Sequence, residues 1–263
     1  GGAWLAPGFS WCPAIAGVVG ASLAVASASV FNMWWERATD PLMNRTRDRP
    51  LAARRLAPRA ALLFGAALAL SSLTILWLWT TPLATALAAG AILSYVLIYT
   101  PLKYKTPLAL FIGAFPGAVP PLLGWAAITG EVGWGGLSLF AVLLVWQMPH
   151  YIAITLFRKD EFARAGIRCV PVVRGDAVAR LQAVAWAVGL VPVSLLPTYV
   201  GVTGWFYAVV AAALGVAFAV RCARGLSGAP VEGGVRWARG LFVASLLYLP
   251  ALVAAMAVDA LLW

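Results

Sequence analysis

Eight stretches of this chain stay apolar for roughly 18 residues or more, the length an α-helix needs to cross the hydrocarbon of a bilayer. They lie at about 12–32, 59–80, 82–101, 107–128, 134–157, 179–199, 203–221 and 239–261. In hydrocarbon every backbone N–H and C=O must be satisfied within the protein, so runs of this length are expected to be helices. The expected fold is therefore all-α: a polytopic transmembrane helix bundle, with residues 1–263 forming one integral-membrane domain. Composition excludes the soluble alternative, since 63% of residues are hydrophobic and 11% charged. Between the second and third runs little more than Thr81-Pro82 intervenes, which predicts a tight helical hairpin.

Charge then orients the bundle. Threading eight spans puts the loops 33–58, 102–106, 158–178 and 222–238, with their flanks, on one side, and all 19 Lys and Arg fall there. The opposite loops, near 81, 129–133 and 200–202, hold none. Such an asymmetry marks the first set as cytoplasmic and places Trp263 and the Glu131 loop on the other face. The net charge of +10 belongs to a surface against anionic lipid, with Arg54, Arg55, Arg59, Arg221, Arg224, Arg236 and Arg239 read as headgroup anchors. No nucleic-acid partner is expected, because the basic residues border apolar spans without a nucleic-acid-binding motif. The chain opens on Gly-Gly rather than Met, with its start on the outer side, which raises the expectation of a preceding span. Cys12, Cys169 and Cys222 lack metal-ligand spacing and read as packing residues.

Only nine Asp and Glu occur, and Glu36, Asp40 and Asp48 fall together in residues 32–50 among Arg37, Arg45, Arg47 and Arg49. On a continuous helix Asn32, Glu36 and Asp40 would drift by about 40° per step and share one face. Oxygen ligands on one face with guanidinium groups behind them suit a divalent cation carrying a diphosphate. Pro41 leaves a second role open for Asp40, as the N-cap of a helix that starts at Pro41. Four spans later, residues 158–168 carry Asp160 and Glu161 beside Arg158 and Lys159, so two acidic clusters face the same side. Tyr99 and Lys103 form an i, i+4 pair at a helix end between them.

His150, the only histidine, sits about eight residues inside its span, on the order of 12 Å deep. A group at that depth is either functional or a structural histidine bonded to a neighbouring helix. On a continuous helix Trp146, His150 and Glu161 would share a face. The glycines and prolines from Gly113 to Pro121 predict a broken helix lining a cavity, since paired prolines free backbone carbonyls at depth.

The asparagine-plus-acid cluster, the second acidic cluster four spans on and Tyr-x-x-x-Lys between them resemble the intramembrane prenyltransferase superfamily of the 4-hydroxybenzoate polyprenyltransferase, or UbiA, type. Three segments, 32–51, 99–130 and 146–173, look like its haem-modifying branch, the protoheme IX farnesyltransferases. They cover roughly 80 residues in the family's order and include GAVPPLLGWAA and PHY. This chain has Asn32-Met33-x-x-Glu36 where the wider superfamily has Asn-Asp-x-x-Asp, and Glu161-Phe162 where Asp-Tyr is common.

The resemblance implies nine helices, the eight spans here being the second to ninth. It implies farnesyl transfer from farnesyl diphosphate to the 2-vinyl group of haem b, with addition of water to give haem O for terminal oxidases. Mg2+ would be held by Asn32, Glu36, Asp40, Asp160 and Glu161. Arg37, Arg45, Arg49, Lys103, Arg158 and Lys159 would serve the diphosphate side, and Tyr99, Trp146 and His150 would complete the substrate contacts. Membrane lipid surrounds the protein, haem A synthase or oxidase assembly proteins are the expected protein partners, and the site opens to the cytoplasm from a bacterial inner membrane. Rival readings are a related prenyltransferase with another aromatic or lipid acceptor, a transporter, and a non-catalytic haem-binding assembly factor. A transporter should place its acidic residues at the membrane midplane, whereas here they gather at one face.

Overall fold

The computed structural model describes residues 2–226 and 231–262, without the side chains of 231–233. Trp263 and part of the fourth charged loop lie outside the described residues. Among the described residues eight helices are long and apolar enough to cross a membrane: α1 (Trp11–Glu36), α2 (Pro58–Trp79), α3 (Pro82–Leu102), α4 (Ala109–Thr129), α5 (Trp134–Phe157), α6 (Asp176–Tyr199), α7 (Trp205–Leu226) and α8 (Gly234–Leu262). Each matches an expected span, and no strand occurs among the described residues. Internal contacts divide the chain into two units, one of residues 2–132 and 160–169, the other of 133–159 and 170 onward.

In the first unit α1 packs on α2, α3 and α4, and α3 packs on α2 and α4. Lipid tails are as apolar as leucine, so close approach and interhelical hydrogen bonds drive this packing rather than hydrophobicity. Ser72 Oγ donates to the Gly20 carbonyl at 2.7 Å and Ser27 Oγ to that of Gly65 at 2.8 Å. Gly20 makes room for Leu76, which is buried with Ala24, Ala84, Ala88, Ile92, Leu123, Ala126 and Ala127. The expected hairpin forms at Thr80–Thr81. Thr81 Oγ1 accepts from Ala84 N at 3.2 Å, capping α3 just before Pro82, and donates to the Ala126 carbonyl at 2.8 Å, tying α3 to α4.

Three expectations about continuity are corrected. α1 ends at Glu36, so Asp40 is not on its face; it opens a 3-10 turn, Asp40–Leu42, after a bend closed by Thr39 N donating to the Glu36 carbonyl at 2.8 Å. Pro41 has no N–H to extend the helix and its ring crowds the preceding turn. α5 stops at Phe157 before a separate helix, Lys159–Arg164, so no continuous helix joins His150 to Glu161. α4, in contrast, runs unbroken through Pro116, Pro120 and Pro121. Each proline removes one N–H, and the remaining ladder with neighbouring helices holds the segment helical.

In the second unit α6 packs between α5 and α7, while α8 contacts both α5 and α7. Asp259 in α8 is buried, and its carboxylate accepts from the backbone of Gly204 and of Tyr207 (3.0 Å). These are N–H groups at the start of α7, where a negative charge meets the positive end of the helix dipole.

Candidate active site

At the end of α1, Glu36 is buried and held from several directions. Asn32 Nδ2, one turn earlier, donates to Glu36 Oε2 at 2.6 Å, Tyr104 OH donates to Oε1 at 3.0 Å, and Lys103 Nζ forms an ion pair with Oε1. Lys103 Nζ also lies 3.3 Å from Asn32 Oδ1. Thr39 Oγ1 closes the group at 2.9 Å from Tyr104 OH.

Lys103 reaches this cluster because α3 does not end as a regular α-helix. Its residues Ser94–Tyr99 form a π-helical stretch, in which Thr100 N bonds to the Tyr95 carbonyl, five residues back. Pro101 lacks the N–H that an α-helical ladder would use there and its ring would press on the carbonyl four residues earlier; the wider turn relieves both. Thr100 Oγ1 lies 2.9 Å from the Tyr95 carbonyl and 3.1 Å from Asn32 Oδ1, and its single hydrogen serves one at a time. Tyr99 makes a tilted ring contact with Tyr95 at 5.1 Å, has room because residue 113 is glycine, and lies 5.5 Å from Lys103 Nζ.

The loop after α1 folds back through consecutive turns, Thr46 N and Arg47 N donating to the Met43 carbonyl and Arg49 N to that of Thr46. Buried Met43 and Leu51 anchor it. The result sets Arg49 Nη1 3.0 Å from both carboxylate oxygens of Asp40 and 3.7 Å from Glu36 Oε2. Thr46 Oγ1 donates to the Asp40 carbonyl at 2.9 Å. Asp40 is the first residue inside its 3-10 turn, with Thr39 at the N-cap position, and its carboxylate accepts from Arg49, so it is not the N-cap of a helix starting at Pro41. Burial pushes the Asp40 carboxyl up, with Arg49 opposing, and pushes the Lys103 ammonium down, with Glu36 opposing. Burial also raises Tyr104, keeping its phenol protonated as a donor. Two carboxylates thus face two cations.

Asp160 and Glu161 belong to the same unit, and Arg168 N at the end of their segment donates to the Lys103 carbonyl at 2.9 Å. They do not join Glu36 and Asp40: among the described residues no three His, Cys, Asp or Glu side chains gather as a metal site. Of the expected basic residues Arg49 and Lys103 join the cluster, while Arg37 and Lys159 have partners of their own. Arg37 turns back onto its own helix, donating to the Trp34 carbonyl at 2.7 Å and lying 4.8 Å from the Trp34 ring. Arg45 is exposed. In the second unit Arg158 sits 5.6 Å from the Phe157 ring and Lys159 pairs with Asp176 at 2.8 Å. His150 is buried there, stacked on Trp146 at 4.9 Å, with Nδ1 2.8 Å from Ser245 Oγ.

Sequence reasoning missed Thr39, Thr46, Thr100, Tyr104 and Ser245. Pro101 inside a span beside Thr100 and Lys103 was the one available signal for the second turn; nothing local marked Ser245. Asn32, Glu36 and Asp40 each offer a hard oxygen, and the two carboxylates share Arg49; that donor chemistry fits Mg2+.

A buried oxygen cluster with fixed cations lies at the end of α1, in a protein whose described residues form eight helices long and apolar enough to cross a membrane. The sequence model described as "UbiA prenyltransferase family" matches residues 1–246, and the chain belongs to that family. It is 45% identical over 260 residues to a protein named protoheme IX farnesyltransferase from Myxococcus xanthus, covering 98% of this chain and 87% of that one. The fold is shared with a UbiA homologue from Aeropyrum pernix solved in its apo form, with TM-score 0.78 and 19% identity over 98% of this chain and 94% of that one. It is also shared with a UbiA homologue from Archaeoglobus fulgidus solved with DMAPP and Mg2+, with TM-score 0.68 and 16% identity over 95% of this chain and 89% of that one. The protein is thus a multi-pass membrane prenyltransferase.

Proposed function

We propose that this enzyme transfers the farnesyl group of farnesyl diphosphate to the 2-vinyl group of haem b, with addition of water, to give haem O. The observation that carries diphosphate chemistry is the buried Asn32–Glu36–Asp40 oxygen set with Lys103 and Arg49 against it. The acceptor rests on likeness to proteins named protoheme IX farnesyltransferase. Asn32, Glu36 and Asp40 would hold Mg2+, with Asp160 and Glu161 as the second acidic group; the bound ion would offset negative charge growing on the leaving diphosphate. Lys103 and Arg49 act on the same charge from fixed positions, which lowers the barrier because it is largest in the transition state. The vinyl group captures the allylic cation and water quenches the cation that results. The chain acts as a single integral-membrane domain in a bacterial inner membrane, its diphosphate site opening to the cytoplasm. That placement rests on the one-sided Lys and Arg. Haem A synthase or an oxidase assembly protein would receive the product.

Incubation of the purified chain with haem b, farnesyl diphosphate and Mg2+, followed by mass analysis, should show haem gaining one farnesyl group and one hydroxyl group, the captured water having lost a proton. An unmodified haem beside a prenylated quinone precursor or lipid would sink the assignment of acceptor while leaving the prenyltransferase class intact.

A further inference from the structure

Ser245 of α8 is a fully buried hydroxyl at the centre of an aromatic cluster within the second unit. Its Oγ lies 2.6 Å from the Phe242 carbonyl and 2.8 Å from His150 Nδ1, and its own carbonyl accepts from Trp146 Nε1 at 3.0 Å. A hydroxyl has one hydrogen, and a neutral imidazole has one N–H. Both short contacts of Oγ are hydrogen bonds in only one assignment: the serine hydrogen goes to Phe242, and His150 Nδ1–H donates to Oγ. The imidazole proton is then on Nδ1 and the lone pair on Nε2. Nε2 has no hydrogen-bond partner among the described residues. The ring plane is fixed as well, by Trp146 stacked at 4.9 Å and 21° and by Phe242 at 5.0 Å.

An Nε2 lone pair cannot donate to a propionate. The group on haem b that it can bind is the iron, a Lewis acid, and an imidazole ligand characteristically has its other N–H tied to a fixed acceptor. We propose that Ser245 is a positioning residue: it holds His150 as the Nδ1–H tautomer so that Nε2 coordinates the iron of haem b. The substrate is thereby held through its metal while the reaction takes place at its edge. This rests on the reading that haem b is the acceptor.

The test is titration of the purified protein with ferric haem b, followed by visible and electron paramagnetic resonance spectra, with farnesyl diphosphate binding measured in parallel. Wild type should show a histidine-ligated haem. His150→Ala should lose that signature and regain it with added imidazole. Ser245→Ala should weaken haem b about tenfold and change the ligand signature, whereas Ser245→Thr, which keeps the hydroxyl, should retain both; farnesyl diphosphate binding should be unchanged throughout. A wild-type spectrum and affinity in Ser245→Ala, or an unchanged spectrum in His150→Ala, overturns the proposal. Equal loss of both ligands in Ser245→Ala overturns it too, leaving the serine a purely structural role. Wild-type protein that binds farnesyl diphosphate but no haem b overturns the acceptor reading itself.

Discussion

Glu36 shows how one buried side chain serves two ends. It satisfies the Lys103 ammonium, and it supplies oxygen to the candidate metal site. Breaking a buried pair by removing one partner leaves a charge without compensation, at about 3–5 kcal/mol, whereas removing both is nearly neutral. Glu36→Gln should therefore lower unfolding stability in detergent by about that amount, and Glu36→Gln with Lys103→Met should recover most of it. Prenyl transfer should fall about 100-fold in both variants. Recovery of activity in the double variant would show that Glu36 acts only as a counter-charge. Asp259 carries no chemistry and tests the opposite case. Its carboxylate satisfies two buried N–H groups at the start of α7, each worth about 1–3 kcal/mol when orphaned. Asp259→Ala should lower stability by about 3 kcal/mol, measured by thermal unfolding. Turnover per folded molecule should remain at the wild-type level.

At the scale of the element, the π-helical stretch at Ser94–Tyr99 decides where Lys103 points. A π turn holds one residue more than an α turn, so reverting it rotates everything beyond it by about 100°. Pro101→Ala restores the missing N–H and removes the ring that opposes an α-helical ladder. The expected outcome is a return toward regular α geometry, with Lys103 turned off Glu36 and transfer rates at least tenfold lower. Helix content by circular dichroism should be unchanged. Full activity in this variant would mean that the π stretch is held by Thr100 and its neighbours rather than by the proline. The unbroken α4 marks the limit of proline as a signal: Pro116, Pro120 and Pro121 did not break their helix, whereas Pro101 and Pro41 lie where a turn widens or an end forms. What separates them is whether the remaining ladder and neighbouring helices can keep the segment helical.

For the whole molecule the testable statement is topology. In a background lacking Cys12, Cys169 and Cys222, single cysteines at the exposed positions Ala53, Ala163 and Glu131 should label oppositely with an impermeant thiol reagent. The first two should be protected in intact cells and the third reactive. External labelling of Ala53 or Ala163 would put an acidic loop on the wrong face for a substrate made in the cytoplasm. The number, order and approximate ends of the spans were legible in the sequence, because hydrocarbon leaves an apolar run of that length no alternative to helix. Asn32 and Glu36 were legible as neighbours because one helical turn fixes their spacing. Asp40 came beside them for another reason: the chain bends after Glu36, and Arg49 draws the loop back onto both carboxylates. Lys103, Tyr104 and Thr100 meet Asn32 and Glu36 across about 70 residues of intervening chain, and Ser245 meets His150 across 95. Local periodicity sets which face of a helix a side chain occupies, and it carries no information about which distant helix that face will meet. That was decided by tertiary packing, through glycines and serines that let backbones approach and through one widened turn that re-aimed a lysine.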